Sequence, residues 1–139
     1  MANVNTDIVT NFVATPSVKN DSQQLHGVKR IAQGTIALAS GDLSATDTVM
    51  LAPIPTNASV SSIKLFNDDL DSGTTMTTDV GLYTTAIVAV DDDAYASAIT
   101  DLRGAVTTGT EVAFEARDIN KCGQKVWEDA GQSSDPGGY

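Results

Sequence analysis

The alternation of apolar and polar positions predicts short β-strands over most of the chain after residue 30. Within residues 31–39, Ile36 and Leu38 alternate with small or polar neighbours. This period of two places apolar side chains on one face of a strand. Comparable patterns occupy residues 48–52, 58–66, 74–83, 85–90 and 105–115. The run 85–90 is apolar on both faces, which predicts a central, buried strand.

Two segments have helical spacing instead. In residues 94–102, apolar side chains recur at i, i+3, i+4 and i+7 from Tyr95, and three aspartates precede them as N-terminal caps. Residues 119–130 present one apolar face, on which Cys122 is expected as a buried small hydrophobe, and Gly131 is placed to cap the helix. Short strands separated by Gly and Asp turns favour a mainly β fold: a β-sandwich or small jelly roll with one or two short helices.

The first thirty residues differ from the rest. They are rich in Asn, Gln, Ser and Thr and have no sustained helical or strand period. The sequence therefore predicts an extended N-terminal arm (1–30) followed by a β-sandwich domain (31–139). The arm is interpreted either as disordered or as ordering on a partner, with the 8–13 patch adding a strand to a neighbour's sheet. Its candidate partner-binding residues are Ile8, Val9, Phe12, Val13, Lys19, Lys29 and Arg30.

Charge separates the same regions. The 139-residue chain has a formal net charge of −10. Residues 1–39 carry a net +1, residues 40–101 carry −9, and residues 102–139 carry −2. An acidic body repels polyanions, so a nucleic-acid partner is not expected, whereas a weakly basic arm suits acidic surfaces.

Few side chains are available for chemistry. The chain has one His and one Cys, so it can form no intrachain disulfide and no zinc site of the Cys/His type. Nothing near His26 in sequence orients it as a base, and no Gly-x-Ser-x-Gly motif is present. The sequence thus predicts a protein that is not an enzyme and needs no cofactor. The longest strictly apolar run, residues 86–90, is far below the roughly 20 residues of a membrane-spanning helix.

One acidic loop has a degraded metal-binding pattern. Asn67, Asp69 and Asp71 occupy positions 1, 3 and 5 of an oxygen-ligand loop, but Ser72 and Thr78 stand where a calcium loop needs Gly and Glu. The favoured interpretation is a solvated turn whose Asn and Asp side chains hydrogen-bond to local backbone. A calcium site is the weaker alternative.

Three groups of segments resemble small virion proteins of tailed bacteriophages, above all head-decoration (cement) proteins. They are residues 34–42 (GTIALASGD) with 49–58 (VMLAPIPTNA); residues 63–73 (IKLFNDDLDSG) with 79–83 (DVGLY); and residues 91–98 (DDDAYASA) with 125–131 (KVWEDAG) and 134–139 (SDPGGY). These runs cover most of residues 30–139 and leave the arm uncovered.

The resemblance implies a non-enzymatic protein, made in the host cytoplasm, that assembles on the exterior of the virion. Its expected partners are the major capsid protein and further copies of itself, with a trimer as the expected oligomer. Other β-rich phage proteins occur in necks, tails and fibres, which leaves the site of assembly open. A carbohydrate- or calcium-binding β-module is a further alternative, although the chain has no aromatic platform for sugars: its single Trp is assigned to the core.

Overall fold

The computed structural model describes residues 7–19, 27–39, 44, 46–71 and 73–137. The chain divides into two compact units, Met1–Ala52 and Pro53–Tyr139. The boundary that the sequence suggested, between residues 30 and 31, lies within the first unit. Each unit is described by itself below.

Among its described residues, the first unit contains one short helix, α1 (Asp7–Val13). The expectation of an extended arm is therefore wrong for these residues. Apolar residues at positions 8, 9, 12 and 13 form two i, i+4 pairs, which suits a short helix. The helix ends before Thr15, the residue that precedes Pro16, where the α conformation is disfavoured.

Two predicted strands of the first unit are not formed. Residues 31–39 and 48–52 have no regular secondary structure. Ile31 is 80% exposed and Ile36 is 61% exposed, so the alternating residues cover no core. A strand requires a neighbour for its N–H and C=O groups and a surface for its apolar face. The described part of this unit supplies neither, and the pattern alone does not make a strand.

The second unit is mainly β and holds two small antiparallel sheets. Its strands are β1 (Lys64–Asn67), β2 (Thr78–Tyr83), β3 (Ala89–Ile99) and β4 (Val106–Glu111). β1 pairs with β4 and β2 pairs with β3. Three predicted strands, 58–66, 74–83 and 105–115, are thus confirmed over part of their lengths. The mainly β class with short helices is confirmed as well.

The predicted helix over residues 94–102 is wrong, because residues 89–99 form β3. Tyr95, Ala96 and Ile99 are buried, with 1%, 0% and 6% exposure. Irregularities interrupt the pairing with β2, and Ala98 adopts a φ of 51°. Such bulges add residues to one strand and change the period with which side chains meet the core. A bulged strand therefore gave an apolar spacing that resembles a helix.

The predicted central strand over residues 85–90 is wrong for residues 85–88, and only residues 89–90 are in a strand. Residues 84–88 connect β2 to β3: the Ile87 N–H donates to the Thr84 carbonyl at 2.9 Å, and the Thr84 N–H donates to the Val88 carbonyl at 2.8 Å. Ile87 and Val88 are 60% and 59% exposed. Residues 86–88 of the longest apolar run of the chain thus lie in an exposed hairpin turn, and its last two residues, 89 and 90, begin β3.

The predicted helix over residues 119–130 is broken into two short pieces. A 3₁₀ turn covers Ile119–Lys121, and helix α2 covers Val126–Asp129. Gly123 lies between them, and glycine disfavours a helix interior. Cys122 is exposed rather than buried on an apolar face.

Gly131 ends α2 as the sequence predicted. It adopts a φ of +66°, the left-handed conformation that glycine tolerates. The Gly131 N–H donates to the Glu128 carbonyl and the Gln132 N–H to the Trp127 carbonyl, both at 3.0 Å. These two bonds form a Schellman motif, which satisfies carbonyls that the helix leaves free.

The core of the second unit lies between β2, β3 and α2. Its buried members are Val80, Leu82, Tyr95, Ala96, Ile99, Leu102, Val112, Val126 and Ala130. α2 is attached through its first two residues: the Val126 N–H donates to the Ala58 carbonyl at 2.9 Å, and the Trp127 N–H to the Thr56 carbonyl at 3.1 Å. Strands and helix therefore share one small apolar core.

Candidate interaction surfaces

The partner-binding residues predicted in the arm fall into two groups. Residues 8, 9, 12 and 13 belong to α1, where Val9 and Val13 are 43% and 59% exposed. Lys19, Lys29 and Arg30 are exposed outside regular secondary structure. His26 and the side chains of Ile8 and Phe12 lie outside the described residues. The structure thus gathers the apolar patch on one short helix, and strand addition by that patch would require the helix to unfold.

In the loop considered for a metal, the Asp71 carboxylate and the Asn67 amide nitrogen bind backbone groups, whereas the buried Asn67 Oδ1 has no hydrogen-bond partner among the described residues. Asp71 Oδ1 accepts from the Gly73 N–H at 2.8 Å, and its Oδ2 accepts from the Met76 N–H at 2.9 Å. These bonds, that from Met76 foremost, lower the pKa of Asp71. Asn67 directs its amide nitrogen to the carbonyls of Leu102 and Gly104, at 2.8 and 2.9 Å. The favoured interpretation, a turn whose Asp71 carboxylate binds local backbone, is confirmed.

Sequence reasoning missed a buried ion pair at the centre of the second unit. Arg117 Nη1 lies 2.6 Å from Asp129 Oδ2, and their side chains are 3% and 1% exposed. The guanidinium carbon lies 4.4 Å from the Phe114 ring centroid and 5.1 Å from that of Tyr95. Arg117 Nη2 also donates to the Val60 carbonyl at 2.6 Å. Arg117 therefore connects α2 to β3 and to the segment that precedes β1.

The same network raises the pKa of two side chains, Tyr95 and Asp129. Burial raises the pKa of Tyr95, and the nearby Asp129 carboxylate, to which its hydroxyl donates at 3.2 Å, raises it further. Burial also raises the pKa of Asp129 and outweighs the attraction of Arg117, which acts in the opposite direction. A buried charge needs a partner, because removing it from water is costly. Nothing in the local sequence indicates this pair, since Asp129 on α2 is twelve residues from Arg117, which lies in the loop after β4.

Beside the ion pair lies an open polar cavity of about 410 Å³. It is lined by Asp91, Asp93, Ala94, Ala116, Arg117, Asp118, Lys121, Gln124, Glu128, Asp129 and Gly131. Asp91, Asp92 and Asp93 bring one carboxylate oxygen each to within 4.8 Å of one another, and burial together with Asp93 raises the pKa of Asp91. The lining includes no Ser, Cys or His nucleophile. Acidic residues that the sequence assigned to a helix cap thus lie together on β3.

The β2–β3 turn is a second surface that sequence reasoning missed. Ala86, Ile87, Val88 and Ala89, here called the hairpin tip, are all exposed. Consecutive exposed apolar residues are unusual on a protein surface unless they contact a partner. A signal for it was present, because the Thr84-Thr85 pair before the run and the three aspartates after it are typical of solvent-exposed ends.

No protein-family model, curated protein or solved structure matches this chain. Within the described residues, no helix has the length and apolar character that crossing a bilayer requires.

Proposed function

We propose that this protein is a non-enzymatic capsid decoration protein of a tailed bacteriophage. It binds the major capsid protein lattice from outside as a homo-oligomer, with a trimer expected, and stabilises the mature head. The second unit forms the body, its two sheets packing as a small β-sandwich. The proposal rests on the resemblance of residues 34–139 to head-decoration proteins, together with the surface properties of the described residues.

The observation that carries it is the exposure of large apolar side chains in the first unit. Val13 and Val18 are 59% and 53% exposed, and Val28 and Ile31 are 89% and 80% exposed. A segment that leaves its apolar residues in water gains stability when a partner covers them. This property favours an assembly protein, which acts through contacts, over an enzyme.

The mode of action is binding linked to stability. A protein that binds only the mature lattice stabilises that lattice by mass action, without a chemical step. We assign the apolar side of α1, with Val9 and Val13, and the nearby Lys19 to the capsid contact. The acidic body remains outside the shell, where its repulsion of packaged DNA carries no cost.

The test uses heads of the encoding phage that lack this protein. The variant Val9→Asp/Val13→Asp should bind these heads at least about tenfold more weakly than the natural chain, because two apolar contacts become charged. The heads should then lose the added thermal stability. Ile119→Asp is the matched control, since Ile119 is 65% exposed in the second unit.

Two results would overturn the proposal. One is full head binding by a chain from which residues 1–20 have been deleted, with the heads as heat-stable as before. The other is attachment of the labelled natural protein to the neck, tail or fibres of the virion instead of the shell.

A further inference from the structure

The hairpin tip (residues 86–89) exposes apolar surface that its own unit does not cover. Ile87 and Val88 are 60% and 59% exposed, and Ala86 and Ala89 on either side are exposed as well. In a folded unit, an apolar run of this length at a turn is a contact surface or an aggregation hazard.

The tip also holds Ile87 in an unfavourable backbone conformation. Ile87 adopts a φ of 59°, in the left-handed region. A β-branched residue is strained there, whereas Asn or Gly adopts this conformation easily. Residues held in such conformations cluster at functional positions. An isoleucine at this position strains the backbone and exposes apolar surface to water. Burial of that side chain against a partner would offset both costs.

Acidic residues follow the hairpin tip along the chain. β3 carries Asp91, Asp92 and Asp93 immediately after Val90, and Asp92 and Asp93 are exposed. The surface therefore offers two large apolar side chains followed by two solvent-exposed carboxylates.

The first unit carries the complementary pattern. In residues 28–31, here called the basic segment, Val28 and Ile31 are 89% and 80% exposed, and the exposed Lys29 and Arg30 lie between them. The segment has no regular secondary structure. It thus offers two apolar side chains and two cations, and it lies outside the helix found in the described part of its unit.

We propose that the basic segment of one copy of this chain binds the hairpin tip and the Asp92–Asp93 carboxylates of a second copy. Val28 and Ile31 cover Ile87 and Val88, while Lys29 and Arg30 meet the two carboxylates. The contact joins different surfaces of the two copies, so it closes into a ring when the rotation between copies permits. In this proposal Lys29 and Arg30 contact a second copy of the chain and not the capsid shell. The proposal does not depend on the capsid function.

The first test measures self-association of the purified full chain, without capsids, by sedimentation velocity over a range of concentrations. Ile87→Asn removes the apolar side chain and is compatible with the left-handed backbone. It should weaken self-association roughly tenfold or more without lowering the melting temperature. Ile119→Asn, at another exposed isoleucine, is the control and should associate like the natural chain.

The second test reverses the charges. Lys29→Glu/Arg30→Glu and Asp92→Lys/Asp93→Lys should each weaken self-association, and the chain that combines all four substitutions should regain it, because the opposite charges again face each other. Lys64→Glu, a reversal at an exposed lysine of β1 outside both surfaces, should leave self-association unchanged. A natural chain that stays monomeric, or reversals whose combination restores nothing, would overturn the proposal. If the natural chain self-associates but does not bind phage heads, that result would count only against the proposed capsid function.

Discussion

The buried pair formed by Arg117 and Asp129 allows a quantitative prediction. Arg117→Met keeps most of the apolar volume beside Phe114 but leaves the Asp129 carboxylate, 1% exposed, without its cation. Removing one partner of a buried pair costs about 3–5 kcal/mol. A domain the size of the second unit loses about 4–8 °C of melting temperature for each kcal/mol of unfolding free energy lost. The melting temperature of Arg117→Met should therefore be lower by about 12 °C or more.

The cost arises from the unpaired charge, which a second variant separates from the loss of packing. In Arg117→Met/Asp129→Leu no charge remains buried, so most of the lost stability should return. Arg103→Met is the matched control, because Arg103 is half-buried and donates to the Met76 carbonyl without an ion pair in the described structure. Its cost should be about 1 kcal/mol, that of one hydrogen bond.

The free energy of unfolding of all three variants is measured by urea unfolding, followed by circular dichroism. Since burial already raises the pKa of Asp129, its protonated form is the cheaper one to bury once Arg117 is gone. The destabilisation by Arg117→Met should therefore be smaller in mildly acidic than in mildly alkaline buffer. The reasoning is refuted if Arg117→Met costs no more than Arg103→Met, or if the double variant is no more stable than Arg117→Met.

Two further predictions concern backbone and pH. A Cβ at Gly81 would clash with the Asp91 carbonyl oxygen, so Gly81→Ala should lower the free energy of unfolding, measured by thermal unfolding, by about 3 kcal/mol or more. Gly104→Ala is the control: nothing lies within 4 Å of its Cβ, so it should change that free energy by less than about 1 kcal/mol. The lowered pKa of Asp71 contributes stability that is complete above the ordinary value of 3.8 and is lost as the pH falls through the folded-state pKa. The free energy of unfolding should therefore fall less steeply with acidification for Asp71→Asn than for the natural chain, and an equally steep fall would contradict the prediction.

Several elements could be predicted from the sequence because their patterns are local. The strands over residues 78–83 and 106–111 lie within segments of period two, and Gly131 ends a helix at the expected position. The Asp71 turn also follows from short-range chemistry, since a carboxylate accepts N–H groups two and five residues along the chain. These features depend on neighbours in sequence.

Residues 94–102 show where the pattern stops being sufficient. Tyr95, Ile99 and Leu102 were predicted to share an apolar face, and all three are buried. The conformation was nevertheless wrong, because bulges in β3 give a strand an irregular period. The apolar pattern therefore predicted which side chains are buried, but not the secondary structure in which they lie.

The amino-acid pattern alone shows the charge division between a weakly basic first segment and an acidic body, the lack of an intrachain disulfide, and the apolar positions of the later core. The exposure of residues 86–89, the lack of a strand over residues 31–39, and the pairing of Arg117 with Asp129 emerge only in the folded chain. One cause accounts for all three. A local pattern specifies what a segment requires, whereas burial, strand pairing and charge pairing depend on what distant segments bring to it.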